Sequence, residues 1–409
     1  MTKTASDMIF EILSKFGVDT IFGYPGGAIL PLYDALYRQT AIKHILTRHE
    51  QAAVHAAQGY ARTTGKLGVV FATSGPGATN TVTGLTDALM DSVPILCITG
   101  QVNSQLLATD AFQEANIVSL LRTATKHNQI VRSRDSLAAQ LCLAIKRATT
   151  GKPGPVALDI PKDIQSAVFT PDETQQIVKQ LEMATQNNVV APPNSELEAK
   201  ITQAITLLLR SKRPIIYCGG GLINAGDLAS THLLEFAEAL NIPVASTLMG
   251  LGAFPSSHHL HLGMLGMHGA YEANLALHGC DVMLCIGARF DDRVTGKLNG
   301  FSPHSLKIHI DIDKGAIGKL VKTAVGIVAD AAVALTALLT ELTNREQANL
   351  NLDTANWWQD IQYWRQTNCF AYKLDNSALL PQQTISSIYQ AMASQSPIVS
   401  TDVGQHQMW

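Results

Sequence analysis

The chain reads as an α/β protein built from consecutive doubly wound parallel-sheet domains, and three observations predict this. Between about residues 5 and 165, apolar residues at helical spacing alternate with short runs rich in β-branched residues, the pattern of helices wound over a largely parallel sheet. The same alternation restarts near residue 195. Glycine-bearing loops directly follow several of the β-rich runs, where open parallel sheets place their ligands beyond the carboxyl ends of the strands.

Taken in order, Met8, Ile9, Ile12, Leu13 and Phe16 share one helical face that Gly17 closes. Strands are predicted at 20–23, 42–46, 68–72, 94–99 and 156–160. The stretch 186–195 is mostly polar, carries two prolines and has no period, so it reads as linker. A helix over 195–210 then ends at Arg210-Ser-Lys-Arg-Pro214. Further strands are expected at 214–217, 242–246, 282–286 and 307–311. The segment 342–377, with Trp357, Trp358 and Trp364, reads as a connector that packs through its aromatics. A helix through Met392 and a strand at 397–401 open a third alternation. The expected division is a first domain at 1–165, a linker at 166–195, a central domain at 196–341, a connector at 342–380 and the start of a third domain at 381–409.

With 409 residues, 46% hydrophobic and 15% charged, the chain can bury at least two cores. A formal charge of -3 and the lack of a basic stripe argue against nucleic acid or an anionic membrane as partner. No apolar run reaches membrane-spanning length. The six cysteines fall singly in apolar surroundings without C-x-x-C spacing, so reduced, buried thiols are expected, neither zinc-bound nor in disulfides. The first residues lead into an amphipathic helix and not a signal segment, which makes a cytoplasmic location the expectation.

The loops carry the chemistry. Tyr24-Pro-Gly-Gly-Ala28 follows a strand, and its glycines let backbone approach a ligand, although an ordinary βα turn has the same look. Thr73-Ser-Gly-Pro-Gly-Ala-Thr-Asn80 brings glycines and hydroxyls to a helix start, which on local physics alone suggests a phosphate cradle; no Gly-Lys-Ser/Thr follows, so a P-loop is disfavoured. Glu50, in Arg48-His-Glu-Gln51, is either a capping acid in the first turn of a helix or a catalytic carboxyl at a strand end. In the second domain, Cys218-Gly-Gly-Gly221 departs from G-x-G-x-x-G, and no acid closes the next strand, so it argues only weakly for a nicotinamide dinucleotide. The loop Gly287-Ala-Arg-Phe-Asp-Asp-Arg-Val-Thr-Gly296 gathers two arginines whose forks suit a diphosphate or a carboxylate. Asp311 and Asp313 at a strand end could hold ribose hydroxyls or only cap the next helix.

Together these segments, with Gly100-Gln-Val, Thr109-Asp-Ala-Phe-Gln-Glu, Pro153-Gly-Pro, Ile160-Pro-Lys-Asp, Met264-Leu-Gly-Met-His-Gly and Val403-Gly-Gln-His-Gln-Met-Trp, resemble in order the large catalytic subunit of acetohydroxyacid synthase (acetolactate synthase). The loops at 264–269 and 288–296 resemble its biosynthetic, flavin-containing type. The resemblance implies domains of the thiamine diphosphate enzyme type, with thiamine diphosphate, FAD and Mg²⁺ as cofactors. It implies decarboxylation of pyruvate and condensation of the resulting two-carbon carbanion with pyruvate, giving 2-acetolactate, or with 2-ketobutyrate, giving 2-aceto-2-hydroxybutyrate. These are steps of branched-chain amino acid biosynthesis.

By the same resemblance Glu50 binds the aminopyrimidine of thiamine diphosphate, Tyr24, Pro76 and Asn80 line its pocket, and the Ser-Gly-Pro-Gly loop no longer reads as a phosphate site. Gly27 and Ala28 border the reaction, with Gln113 and Lys162 beside the substrate, and Arg293 orients the second ketoacid. Val403, Gly404, Gln405 and His406 meet the diphosphate of thiamine. FAD falls in the central domain: Gly219 and Gly220 approach its diphosphate, Thr247 and Leu248 follow the next strand, and Leu265, Gly266 and His268 the one after. Gly287, Arg289, Asp291 and Val294 complete its surroundings, with Asp311, Ile312 and Asp330 toward the adenosine, and with Lys152, Gln407 and Met408 as outlying contacts.

Three departures stand out. Lys152 replaces the arginine of the usual Gly-Arg-Pro-Gly-Pro and loses its planar fork. Asn103 replaces the proline of Gln-Val-Pro. The Gly-Asp-Gly…Asn motif that holds Mg²⁺ occurs nowhere, so this chain supplies no metal residues and is expected to be an incomplete form. An inactive stand-alone flavin-binding or assembly fragment is the alternative. Pyruvate oxidase and glyoxylate carboligase are disfavoured by Arg293 with Met267-His268 and by Glu50, respectively. A homodimer or larger assembly and a small regulatory subunit are the expected partners.

Overall fold

The computed structural model describes residues 2–185, 195–345, 352–374 and 377–407. They divide into two units, Met1–Pro192 and Pro193–Trp409. The first unit opens with the two-residue strand β1 (Lys3–Thr4) and helix α1 (Ala5–Lys15). The Thr4 hydroxyl accepts the Asp7 N–H at 3.1 Å, and the Asp7 carboxylate accepts the Thr4 N–H at 2.8 Å. This reciprocal box stabilises the helix start by about 1 kcal/mol. Met8, Ile9, Ile12 and Leu13 are buried, as their spacing predicts.

The unit continues as β2 (Thr20–Gly23), α2 (Leu30–Arg38), β3 (Lys43–Leu46), α3 (Glu50–Thr64), β4 (Gly68–Ala72), the single turn α4 (Pro76–Thr79), α5 (Val82–Met90) and β5 (Ile95–Gln101). Then come α6 (Ile117–Leu121), β6 (His127–Ile130), α7 (Arg134–Thr149), β7 (Val156–Pro161), α8 (Lys162–Ser166), β8 (Val168–Phe169) and α9 (Pro171–Thr185). Six strands pair in parallel in the order β3-β2-β4-β5-β7-β6. The central strands β4, β5 and β7 are buried along their whole length because helices cover both faces. Alternation splits their side chains: Val69, Phe71, Leu96 and Ile98 enter one core, while Val70, Ile95 and Cys97 enter the other.

Some of this departs from the sequence expectation. Strand β6 is polar and half-buried, so its pairing with β7 is set by the neighbour and not by its own composition. Strands β1 and β8 are two residues each and pair antiparallel. Within 166–195, read as linker, β8 and the fifteen-residue α9 are regular elements, while 186–194 lie outside the described residues.

The second unit runs α10 (Ser195–Leu209), β9 (Pro214–Cys218), α11 (Gly220–Asn224), α12 (Asp227–Leu240), β10 (Val244–Ser246), β11 (His261–Met264), α13 (Tyr271–Gly279) and β12 (Val282–Ile286). It continues with α14 (Asp292–Thr295), β13 (Leu306–Asp311), β14 (Val325–Val328), α15 (Ala331–Arg345), α16 (Ala355–Arg365) and α17 (Pro381–Met392). Its sheet is again parallel, in the order β11-β10-β9-β12-β13-β14. The edge strand β11 is short and carries no clear apolar run, which is why the sequence does not reveal it, whereas β14, Val-Gly-Ile-Val, carries the signal and was passed over.

Helix α16 docks through its tryptophans, as the connector reading expects. Trp357 is buried and donates its Nε1–H to the Pro214 carbonyl at 3.0 Å, Trp358 donates to Asn241 O at 3.0 Å, and Trp364 meets Trp357 edge to face. Two expectations fail here. Residues 397–401 form no strand, because among the described residues nothing pairs with them and an unpaired strand lacks its ladder bonds. Cys369 is exposed, unlike the five other cysteines, because it lies in an irregular turn over the surface.

Candidate functional site

In the first unit the carboxyl ends of β2, β3, β4, β5 and β7 carry the loops singled out by sequence. Glu50 is the first residue of α3, and His49 provides the cap, its Nδ1 accepting the Gln51 N–H at 3.1 Å. Glu50 is therefore not spent on capping. Its side chain is buried, and its Oε2 accepts a hydrogen bond from Asn80 Nδ2 at 2.9 Å. Asn80 ends the turn α4, so the loop after β4 delivers it to the carboxylate. A Cβ on Gly77 would lie 3.1 Å from Glu50 Oε1 and 2.7 Å from Thr73 Cγ2, which explains a glycine beside the acid. Pro76 and Gly77 begin a helix of one turn only, and the longer helix starts at Val82. The phosphate-cradle reading of this loop is thus a local misreading, since its asparagine turns toward a carboxylate, where a phosphate would be repelled.

The turn 24–28 comes close to the same loop. Ala28 donates its N–H to Thr73 Oγ1 at 3.2 Å, and a Cβ on Gly26 would sit 2.5 Å from Thr73 Cγ2. Tyr24 is partly exposed, and the backbone of Gly27 has no atom near where a Cβ would stand, so that position opens to space. Gly75 has φ +56°, and a Cβ there would lie 2.6 Å from the Gln113 carbonyl oxygen. The Gln113 segment therefore closes over the 73–80 loop.

That segment is strained. Ala108, Asp110 and Gln113 all sit at positive φ, at 63°, 59° and 57°. Glu114 holds the turn by accepting backbone N–H groups from Ala108, Thr109 and Ala111, bonds that lower its pKa. Sequence reading gave Glu114 no role, and only its place inside a dense motif could have signalled one. Lys162 opens α8 at the end of β7. Lys152 stands elsewhere: it precedes β7 at the amino edge of the sheet, opposite the edge that carries Glu50.

Buried beneath the carboxyl edge is Asp159, which sequence reading also passed over. It accepts from Thr99 Oγ1 at 2.7 Å and from Gln101 Nε2 at 2.8 Å, and Gln101 Nε2 also reaches the Ala115 carbonyl at 3.1 Å. Burial pushes the Asp159 carboxyl up to about 6 against these two bonds. An acid inside the otherwise apolar run VALDIP was the available signal.

In the second unit the residues expected around a flavin follow the carboxyl ends of all six strands. Gly219 and Gly220 follow β9, Thr247 and Leu248 follow β10, and Leu265, Gly266 and His268 follow β11. Gly287, Arg289, Asp291 and Val294 follow β12, while Asp311 ends β13 with Ile312 next, and Asp330 follows β14. The loops touch one another: Gly221 N–H donates to Gly287 O at 3.0 Å, Met267 N–H to Arg293 O at 2.8 Å, and Leu265 N–H to Ser246 O at 3.0 Å. A Cβ on Gly219 would lie 2.3 Å from the Gly287 carbonyl oxygen, so only glycine allows this approach. Asn274, another residue without a sequence-level role, grips Gly266 twice, accepting its N–H at 2.8 Å and donating to its carbonyl at 2.9 Å.

Part of the Arg/Asp loop is local structure. Asp291 caps α14 by accepting the Arg293 N–H, and the Arg293 and Asp292 side chains are largely exposed. Asp311 and Asp330 each spend one oxygen on a following backbone N–H, of Asp313 and Ala332. Beside His268 and Gly269 opens a cleft of about 550 Å³ bounded by Cys369–Tyr372 and α17. The turn containing Gln405 and His406 meets α17, with His406 Nε2 2.8 Å from Asp402 O and Val403 exposed. The Gln407 side chain and Met408 lie outside the described residues. Burial pushes the Cys97 thiol up to about 12 and Cys218 up to about 11, which leaves them protonated and inert.

Two family models match this chain. The thiamine pyrophosphate enzyme N-terminal TPP binding domain matches residues 3–120, and the thiamine pyrophosphate enzyme central domain matches residues 201–338. The acetolactate synthase large subunit of Haemophilus influenzae is 44% identical over 407 residues, covering 99% of this chain and 69% of that protein. The acetolactate synthase isozyme 3 large subunit of Escherichia coli is 43% identical over 409 residues, with the same shares of 99% and 69%. The chloroplastic acetolactate synthase of Arabidopsis thaliana is 43% identical over 407 residues, covering 100% of this chain and 59% of that protein.

Proposed function

Because the chain belongs to the family of acetolactate synthase large subunits, which are thiamine diphosphate enzymes, we propose that it joins pyruvate-derived two-carbon units to pyruvate or 2-ketobutyrate in branched-chain amino acid synthesis. The observation that carries the reading is the buried Glu50 carboxylate, oriented by Asn80 at the carboxyl edge of the first sheet. Bound thiamine diphosphate supplies the electron sink for the pair of electrons left when pyruvate loses CO₂.

The residues present fit the aminopyrimidine end of that cofactor. Asn80 occupies one oxygen of Glu50, so the other is left to hold a ring nitrogen and its proton. Tyr24 and Pro76 would flank the ring. Gly27, open where a side chain would stand, would leave room for the ketoacid, and Gln113 and Lys162 would bind its polar groups. Arg293, a planar fork on an exposed turn, suits the carboxylate of the second ketoacid. Val403, Gly404, Gln405 and His406 would meet the cofactor's diphosphate.

The second unit fits FAD through the close approach of Gly219 to Gly287, which leaves bare backbone at the carboxyl edge. There the flavin would serve structure, since carboligation has no net redox change. Lys152, Gln407 and Met408 would be outlying contacts. Among the described residues there is no group of three or more His, Cys, Asp or Glu side chains that could hold an ion. A homodimer or larger assembly and a small regulatory subunit complete the proposal.

The test is acetolactate release from pyruvate with thiamine diphosphate, Mg²⁺ and FAD. It is measured for the chain alone and for the chain continued by the part of the Escherichia coli relative that lies beyond the match. Release that Glu50→Gln abolishes is the expected result. Flavin uptake without acetolactate from either form would overturn the reading and leave a flavin-binding chain.

A further inference from the structure

Gln165 has no part in the site as described, yet it is fully buried near the end of α8. Its Nε2 donates to two carbonyls, Ile160 O at 2.7 Å and Ala28 O at 2.9 Å. The first bond is local and closes the turn from β7 into α8. The second crosses to a turn 137 residues away in sequence. Its Oε1 has no partner, so this amide was not placed to satisfy itself. The Ser6 hydroxyl donates to the Gln165 carbonyl at 2.9 Å and fixes the backbone behind it.

On the other side, the N–H of the same Ala28 is held by Thr73 Oγ1. Gly100 lies under the Ala28 carbonyl, where a Cβ would come within 2.5 Å of its oxygen. Ala28 is therefore fixed at both its N–H and its carbonyl by side chains from separate elements. Lys162 stands three residues before Gln165 on the same short helix.

We propose that Gln165 is a positioning residue: its side-chain amide clamps the Gly26–Ala28 turn to the end of β7, directly before Lys162, and so sets the gap between Gly27 and Lys162 in which the ketoacid is held. The proposal rests on the functional reading above for the identity of that ketoacid, but the clamp itself does not. A glutamine serving only to close the β7–α8 turn would need the bond to Ile160 and no other. The bond to Ala28 adds a direct hydrogen bond between the 24–28 turn and the β7–α8 connection, beyond the packing of α2 on α8.

The test uses Gln165→Met, which keeps the length and removes the donor, and Thr73→Val, which removes the other hold on Ala28 at nearly constant volume. Hydrogen exchange by mass spectrometry is read on peptides spanning 24–33, with peptides of β5 and α7 as internal controls. Both variants are expected to speed exchange in 24–33 at least tenfold while the controls stay unchanged. In the acetolactate assay, Gln165→Met is expected to lower kcat/KM for pyruvate by tenfold or more with an unchanged Kd for thiamine diphosphate.

Unchanged exchange in 24–33 for both variants sinks the clamp whatever the activity. Faster exchange with wild-type kcat/KM sinks the positioning role. Faster exchange in a wild-type background that makes no acetolactate supports the clamp and counts against the functional reading alone.

Discussion

Asp159 gives the sharpest quantitative test. Its carboxyl is pushed from the ordinary 3.8 up to about 6 by burial, against hydrogen bonds from Thr99 and Gln101, with no cation among the groups that set the shift. Below about pH 4 both the folded and the unfolded chain hold the proton. Between about 4 and 6 the unfolded chain releases it while the folded chain keeps it, so stability falls as pH rises, until both are ionised above about 6. The fall is about 3 kcal/mol, from roughly two pKa units at about 1.4 kcal/mol each.

Asp159→Asn removes the titration. The asparagine can keep both contacts, its Oδ1 accepting from Gln101 Nε2 and its Nδ2 donating to the Thr99 hydroxyl, which accepts as well as donates. The stability of the wild type relative to the variant should therefore fall by about 3 kcal/mol between pH 4 and pH 7. The depressed histidines His44, His261 and His309 titrate in the opposite sense over part of this window, but they are common to both proteins and cancel in the difference. Urea-dependent hydrogen exchange of peptides from β5 and β7 reads this unit alone, with exchange times scaled to the intrinsic rate at each pH. A gap constant to within about 0.5 kcal/mol from pH 4 to 7 would refute a carboxyl held protonated by burial, a change well below the expected 3.

Three further outcomes are expected. Glu50→Gln keeps an acceptor for Asn80, so the urea midpoint should change by less than about 1 kcal/mol equivalent while acetolactate formation drops by a factor on the order of 10²–10⁴; half-normal initial rates in the variant would refute its role. Gly100→Ala drives a methyl to 2.5 Å from the Ala28 carbonyl oxygen in a central strand, which should cost about 1–3 kcal/mol by thermal shift and raise KM for pyruvate, and an unchanged melting temperature would show that the turn is free to move. Trp357→Phe forfeits the bond to Pro214 O and part of the contact with Trp364, so tryptophan fluorescence should report the second unit about 1–3 kcal/mol less stable, with exchange in the first unit unaltered.

Strand alternation and loop glycines made much of the fold legible in the sequence. The runs at 20–23, 68–72 and 282–286 coincide with β2, β4 and β12, because a strand covered on both faces must be apolar throughout and so declares itself. Polar β6 and the short edge β11 did not, since a neighbour's open ladder supplied what their own residues lack. The run 397–401 shows the converse, a strand-like sequence with no partner to pair it.

The same division governs the site. The sequence by itself determined the family and singled out the segments proposed to carry the chemistry, because Glu50, the Gly-Gly turn and the Arg/Asp loop are short-range patterns readable along one dimension. Only the tertiary structure decided what each oxygen and amide does: that His49 caps α3 and frees Glu50, that Asn80 turns to that carboxylate, and that Gln165 reaches a carbonyl 137 residues away. Hydrogen bonds are specific to about a few tenths of an ångström and to direction, whereas sequence spacing fixes neither once the partners lie on different strands.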